Sequence, residues 1–153
     1  MRIVRKMAVA GLVLGLGVVS IAAQASDDPI ETRKAIMSSV GAAAGLGGGM
    51  MKAEIDYVPA AGKAAIATVR AASLTFGDYY PAGSDQGDTG AAAAIWENPE
   101  GFAAELAKFQ AATEKAAAAS GKDGPADLDA FKGAMGPVLA TCKSCHETYR
   151  KKN

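Results

Sequence analysis

The chain has 153 residues, with 16 basic and 16 acidic side chains, two cysteines, one histidine and half its residues hydrophobic. That length suits one domain with a real core. The balanced charge offers no basic field for nucleic acid, and two cysteines with one histidine fall short of the roughly four ligands of a structural zinc site.

Residues 1–25 read as a targeting segment. Arg2, Arg5 and Lys6 form a basic start, Met7 to Ala23 is an almost unbroken apolar run, and Ala23-Gln24-Ala25 supplies a small-residue cleavage signature. This is the pattern of a secretory signal peptide, and cleavage leaves a mature domain of residues 26–153. The run is also near the length of a membrane anchor, so retention of the segment stays open. Loss of three basic residues leaves 13 against 16 acidic ones, a mildly acidic mature protein. No later apolar stretch is long enough to span a membrane.

The mature sequence is rich in alanine, poor in β-branched residues and free of alternating runs, which predicts helices. The first is expected from about Asp28 to about Met51, capped by Asp27 or Asp28, with Pro29 in the first turn. Ile30, Arg33, Met37, Val40, Ala44, Gly47 and Met51 fall on one stripe. Glycines at 41, 45, 47, 48 and 49 each cost up to ~1 kcal/mol against alanine. Either the helix stops near Gly45, or the glycines allow a close backbone approach.

A second helix is expected from Pro59 to Phe76, with Ile66, Val69, Ser73 and Phe76 inward. The loop that follows, Gly77 to about Asn98, carries Asp85 and Asp88 without EF-hand spacing, so they read as solvated turn residues. The third helix has Asn98 as N-cap, Pro99 at its first position and Glu100 in its first turn. It runs to about Ser120, where Gly121-Lys122-Asp123-Gly124 breaks it, and Phe102, Leu106 and Phe109 mark its core stripe.

The fourth helix starts around Pro125 and Asp127. Leu128, Phe131, Met135, Val138, Cys142, Cys145 and Tyr149 step along it at intervals of three and four, and Pro137 is expected to kink it. The stripe leads to Cys142-Lys143-Ser144-Cys145-His146, a C-x-x-C-H pattern for attaching a c-type haem. Two thiols at this spacing can each add to a vinyl group of one porphyrin, and the next residue, His146, becomes the proximal iron ligand. A thioredoxin-like redox pair would belong near a βαβ pattern, which is absent. Export permits a Cys142–Cys145 disulfide, but only as a by-product of failed haem loading. Four amphipathic helices with mostly short connections predict an all-α fold, an antiparallel four-helix bundle with covalently bound haem c near one end.

Three stretches carry a family resemblance: residues 31–37 of the first helix, residues 95–102 opening the third, and residues 142–150. Together they resemble the class II cytochromes c, the cytochrome c' family and its low-spin relatives, over essentially the whole mature chain. Ala91 to Ala94 depart from relatives that often carry charged residues before the Ile-Trp pair. The resemblance implies a periplasmic electron carrier rather than an enzyme, with redox protein partners and a possible homodimer through its first two helices. It places Arg33 at a haem propionate, and an arginine on an apolar stripe does need a partner for its charge. It places Arg150 close to the haem, one helical turn beyond His146. Trp96 is expected to pack against the bundle.

The sixth iron ligand separates the two leading functions. A low-spin electron carrier needs one; a five-coordinate protein binding nitric oxide or carbon monoxide does not. The single histidine is used proximally, which also leaves no distal acid–base group for a peroxidase. Among the methionines, Met135 lies ~16 Å from His146 along the same helix, and Met50 and Met51 lie ~20 Å beyond Met37. In an antiparallel bundle Met37 sits near the level of His146, so it is the candidate distal ligand. In five-coordinate relatives the same position carries leucine or an unbound methionine, so the gas-binding alternative stands.

Overall fold

The computed structural model describes residues 28–152; the expected signal peptide, residues 1–25, lies outside the described residues. Four long helices are present: α1 (Pro29–Met51), α2 (Pro59–Thr75), α4 (Pro99–Ser120) and α5 (Leu128–Tyr149). Between α2 and α4 come a 3₁₀ turn at Phe76–Tyr79 and a short helix, α3 (Ala94–Glu97).

Capping side chains set the starts of three long helices. Asp28 accepts from the amides of Ile30 and Glu31, Asn98 from Gly101 and Asp127 from Ala130. Each satisfies an amide that the helix leaves unpaired. Pro99 follows Asn98, and Pro29 follows Asp28, at positions where no amide hydrogen is needed.

The glycines do not end α1, which runs through all five to Met51. Tertiary packing outweighs their weak propensity. A Cβ on Gly47 would lie 3.2 Å from the Phe131 ring, so glycine there lets α1 approach α5 closely. Gly41, Gly45 and Gly48 face open space.

Each long helix packs against two others in the order α1, α2, α4, α5 and back to α1. Contacts fix the directions as antiparallel: Phe102 at the start of α4 meets Tyr149 at the end of α5, and Gly47 near the end of α1 meets Phe131 near the start of α5. The main core lies at the middle and at the end opposite the cysteines, around Met50, Ile66, Val69, Phe131, Met135 and Val138. The Ser73 and Thr113 hydroxyls, 2.8 Å apart, pair α2 with α4 within it. A second, aromatic cluster of Ile95, Phe102 and Tyr149, flanked by Tyr80 and Trp96, closes the other end. Pro137 stands inside α5, whose helical assignment continues through it.

The loop between α2 and α4 is more structured than its turn-rich composition predicts. The Ala92 amide donates to the Tyr149 carbonyl and the Lys151 amide to Gly90, tying the loop to the end of α5. No helix among the described residues is long and apolar enough to cross a membrane.

Candidate functional site

Between the two clusters a cleft of about 510 Å³ opens among α1, α4, α5 and the loop, a size usual for ligand pockets. From α5 come Cys142, Cys145 and His146; from α1 come Arg33, Met37, Val40, Gly41 and Ala44. Phe76, Tyr80, Phe102, Leu106 and Phe109 complete a mainly apolar wall. The four site residues expected from the motif and from elimination, Cys142, Cys145, His146 and Met37, therefore share one cleft.

Both cysteines are free thiols. Spaced by three on a helix, they present one face to the cleft. Burial pushes both thiols up, Cys145 to about 11 with Glu105 and Cys142 adding to the effect. His146 stands at the rim, where partial burial, and then the charge of Arg150, hold it below the usual imidazole range. At neutral pH its imidazole is neutral, the form whose nitrogen lone pair binds a metal.

Sequence reasoning missed Glu105. Ser144, inside the motif, donates to Glu105 at 2.7 Å, and Lys108 donates to the other carboxylate oxygen at 2.6 Å. These bonds, Lys108 first, hold the carboxyl below its ordinary range. Glu105 thus ties the cysteine-bearing turn of α5 to α4. Its only sequence signal was its position three residues after the inward-facing Phe102.

Arg33 is 4% exposed and is not a cation reaching water. Its terminal nitrogens are held by neutral acceptors of the loop. One terminal nitrogen donates to the Tyr79 carbonyl (2.7 Å) and the Ser84 hydroxyl (2.8 Å); the other donates to the Ser84 carbonyl (2.7 Å) and the Thr89 hydroxyl (3.1 Å). The guanidinium carbon lies 4.7 Å from the Tyr80 ring centre and 5.8 Å from that of Trp96, a favourable cation–π placement. Four neutral oxygens and two rings surround the guanidinium without cancelling its charge, and the oxygens come from a loop about fifty residues away that no local pattern could pair with Arg33. The neighbouring Lys34 bonds Asp88 at 2.9 Å, so that aspartate pairs across the loop as well as facing solvent.

Arg150 directly follows the last residue of α5: the helix ends at Tyr149, and Arg150 is extended and bridged to Ala91. It still lines the cleft and acts on His146 by its charge. Trp96 packs on Tyr80 and donates to the Pro81 carbonyl at 3.3 Å, outside the cleft lining.

Met37 is the cleft's methionine. Met50 and Met135 are fully buried in the main core, and neither they nor Met51 line the cleft. Among the described residues no three His, Cys, Asp or Glu side chains gather to hold a metal. An iron here would sit in a macrocycle, for which an apolar slot, two thiols, an imidazole, a thioether and a rim of cations form a fitting donor set.

The family model described as Cytochrome C' matches residues 28–150. Cytochrome c-554 of Cereibacter sphaeroides is 40% identical over 128 residues, covering 81% of each chain. The solved cytochrome c' of Rhodopseudomonas palustris superposes with a TM-score of 0.73 at 34% identity, covering 82% of this chain and 98% of its own. A solved cytochrome c' described as having ligand-controlled dimer dissociation gives a TM-score of 0.70 at 33% identity, with coverages of 81% and 95%.

Proposed function

Since the chain belongs to the cytochrome c' family, whose members bind haem c covalently, we propose that it is a low-spin, periplasmic carrier of single electrons. The observation that carries this reading is Met37 lining the same cleft as His146. The bound haem supplies a one-electron iron couple. Cys142 and Cys145 would hold it by thioether bonds, and His146 and Met37 would ligate its iron. A methionine ligand would raise the potential and close the iron to outside ligands. Apolar neighbours exclude water from the couple. Arg33, whose terminal N–H groups are already used, stabilises a haem propionate by its uncompensated positive charge rather than by new hydrogen bonds. Arg150 lies beside the haem at the His146 rim. Residues 1–25 direct export to the periplasm and are removed.

A five-coordinate, gas-binding role is the second reading. It draws on the small side chains beside Met37, since Gly41 and Ala44 leave room for a diatomic ligand on the α1 wall. Visible spectra of the oxidised and reduced protein decide between the two. Low-spin spectra with a methionine–iron band in the ferric state support electron transfer; a high-spin protein that binds carbon monoxide rapidly overturns it.

Covalent attachment has its own test. Protein matured in a host with haem-attachment machinery should keep its haem through acid–acetone extraction and denaturing electrophoresis, and Cys142→Ala/Cys145→Ala should lose it. Haem that washes out of the wild type would sink the assignment.

Assembly follows from α1 and α2. Gly45 and Gly48 leave their side of α1 open, while Leu46 and Leu74 are 36% and 55% exposed. Small residues beside exposed leucines suit a close helix–helix contact between two copies. Light scattering at high micromolar concentration should report a dimer or a monomer–dimer equilibrium, shifted to monomer by Leu74→Asp. A strictly monomeric wild type would count against this contact.

A further inference from the structure

The end of α5 carries a concentration of positive charge that runs against the rest of the molecule. Lys143, Arg150, Lys151 and Lys152 surround His146 and line a shallow surface depression, with Glu147 the single carboxylate among them. Lys143 and Glu147 approach to 3.9 Å, with their side chains 82% and 64% exposed, a weak contact in water. The mature chain is acidic as a whole, with 13 basic against 16 acidic residues, so this face is a local reversal of sign. Among other cations at this end of the bundle, Lys34 is paired with Glu31 and Asp88 and Lys108 with Glu105, while Arg33 is buried beneath the loop.

We propose that this face is the docking surface for an acidic redox protein, which it brings over His146. The inference rests on the electron-carrier reading above. Charge complementarity selects the partner's chemistry. A carboxylate-rich face is drawn to four exposed cations within about a Debye length, ~10 Å at 0.1 M salt, and repelled by the remaining acidic surface, so encounters are steered to the His146 rim. Long lysine side chains at the margin suit a transient complex, because they gain attraction without having to desolvate fully.

The test uses the haem-loaded protein in its ferrous form and two small probes of opposite charge. Hexacyanoferrate(III) takes one electron and becomes hexacyanoferrate(II) as the protein becomes ferric; tris(phenanthroline)cobalt(III) takes one electron and becomes cobalt(II). Net charge alone predicts that the anionic probe reacts faster as salt is raised. The docking face predicts the reverse, a rate that falls as salt rises. Lys143→Glu/Lys152→Glu should slow the anionic probe about tenfold at low salt, within the usual range of steering effects, and speed the cationic one. Lys152→Glu alone, beyond the end of α5 and outside the attachment motif, should show part of the effect. Lys115→Glu, toward the far end of α4, should show none.

Wild-type protein should also be retained at low salt on a sulfonate cation exchanger despite its acidic balance, and the double variant should not. Brisk transfer that follows net charge and ignores these variants overturns the docking face while leaving the electron carrier intact. Slow transfer with both probes, insensitive to salt, overturns both.

Discussion

Replacing Met37 by alanine should convert a low-spin haem into a high-spin one. The methionine–iron band of the ferric protein should vanish, the ferrous protein should bind carbon monoxide rapidly, and the potential should fall on the order of 0.1 V, part of the ~0.8 V over which axial ligands move haem iron. No other methionine or histidine can take over. Met50 and Met135 are fully buried in the main core, and His146 is the chain's only histidine. Met37 packs at the margin of the core and is only partly buried, so its loss removes few core contacts, and the variant should fold and load haem as the wild type does. That separates ligation from packing. A methionine that merely fills the pocket would leave the spin state and carbon monoxide rate unchanged on substitution by leucine, which keeps the volume but has no sulfur. Equal spectra for wild type and Met37→Leu would therefore refute ligation.

The parts of this architecture that are legible in the sequence depend on short-range chemistry. Asp28, Asn98 and Asp127 mark helix starts because a capping oxygen bonds amides two or three residues away. The attachment motif is legible because both thiols and the imidazole fall within five consecutive residues. The stripe from Leu128 to Tyr149 is legible because period alone orients a helix. What escaped depends on distance along the chain. The length of α1 turns on Gly47 meeting Phe131, eighty-four residues later. Arg33 was recognisable as a charge needing a partner, but nothing local marks Ser84 and Thr89 as its acceptors, since they reach it only when the loop folds over α1. The end of α5 at Tyr149 was not legible, because the bridge that draws Arg150 into extended backbone comes from Ala91. Glu105 resembled any exposed helix glutamate, since its role depends on Ser144 crossing from α5.

Arg33 carries the largest expected effect on stability. Its side chain is buried, and its four hydrogen bonds all end on neutral oxygens of the loop. Arg33→Met keeps much of the length but strands the Tyr79 and Ser84 carbonyls, while the Ser84 hydroxyl still donates to Pro81 and the Thr89 hydroxyl still accepts from the Ala91 amide. Each acceptor left unsatisfied costs about 1–3 kcal/mol where water cannot reach it. Against this stands the relief of a buried charge without a carboxylate partner, itself a cost to folding. The bonds should win, because Arg33 also stacks on Tyr80 and Trp96 and so holds the aromatic cluster beneath the loop. The net loss should be about 3 kcal/mol, a fall of roughly 10 °C in the melting midpoint for a domain of this size. Arg33→Lys should recover only a fraction, since one ammonium cannot span acceptors arranged for a planar fork. Hydrogen exchange locates the damage: amides between Tyr79 and Ala92 should lose protection first, ahead of those in the core of α2 and α5. Ser84→Ala should then cost less in the Arg33→Met background than in the wild type, because its bond to Arg33 is already gone and only its bond to the Pro81 carbonyl is left to break. If the two substitutions add fully, the Arg33–Ser84 pair is not what fastens the loop.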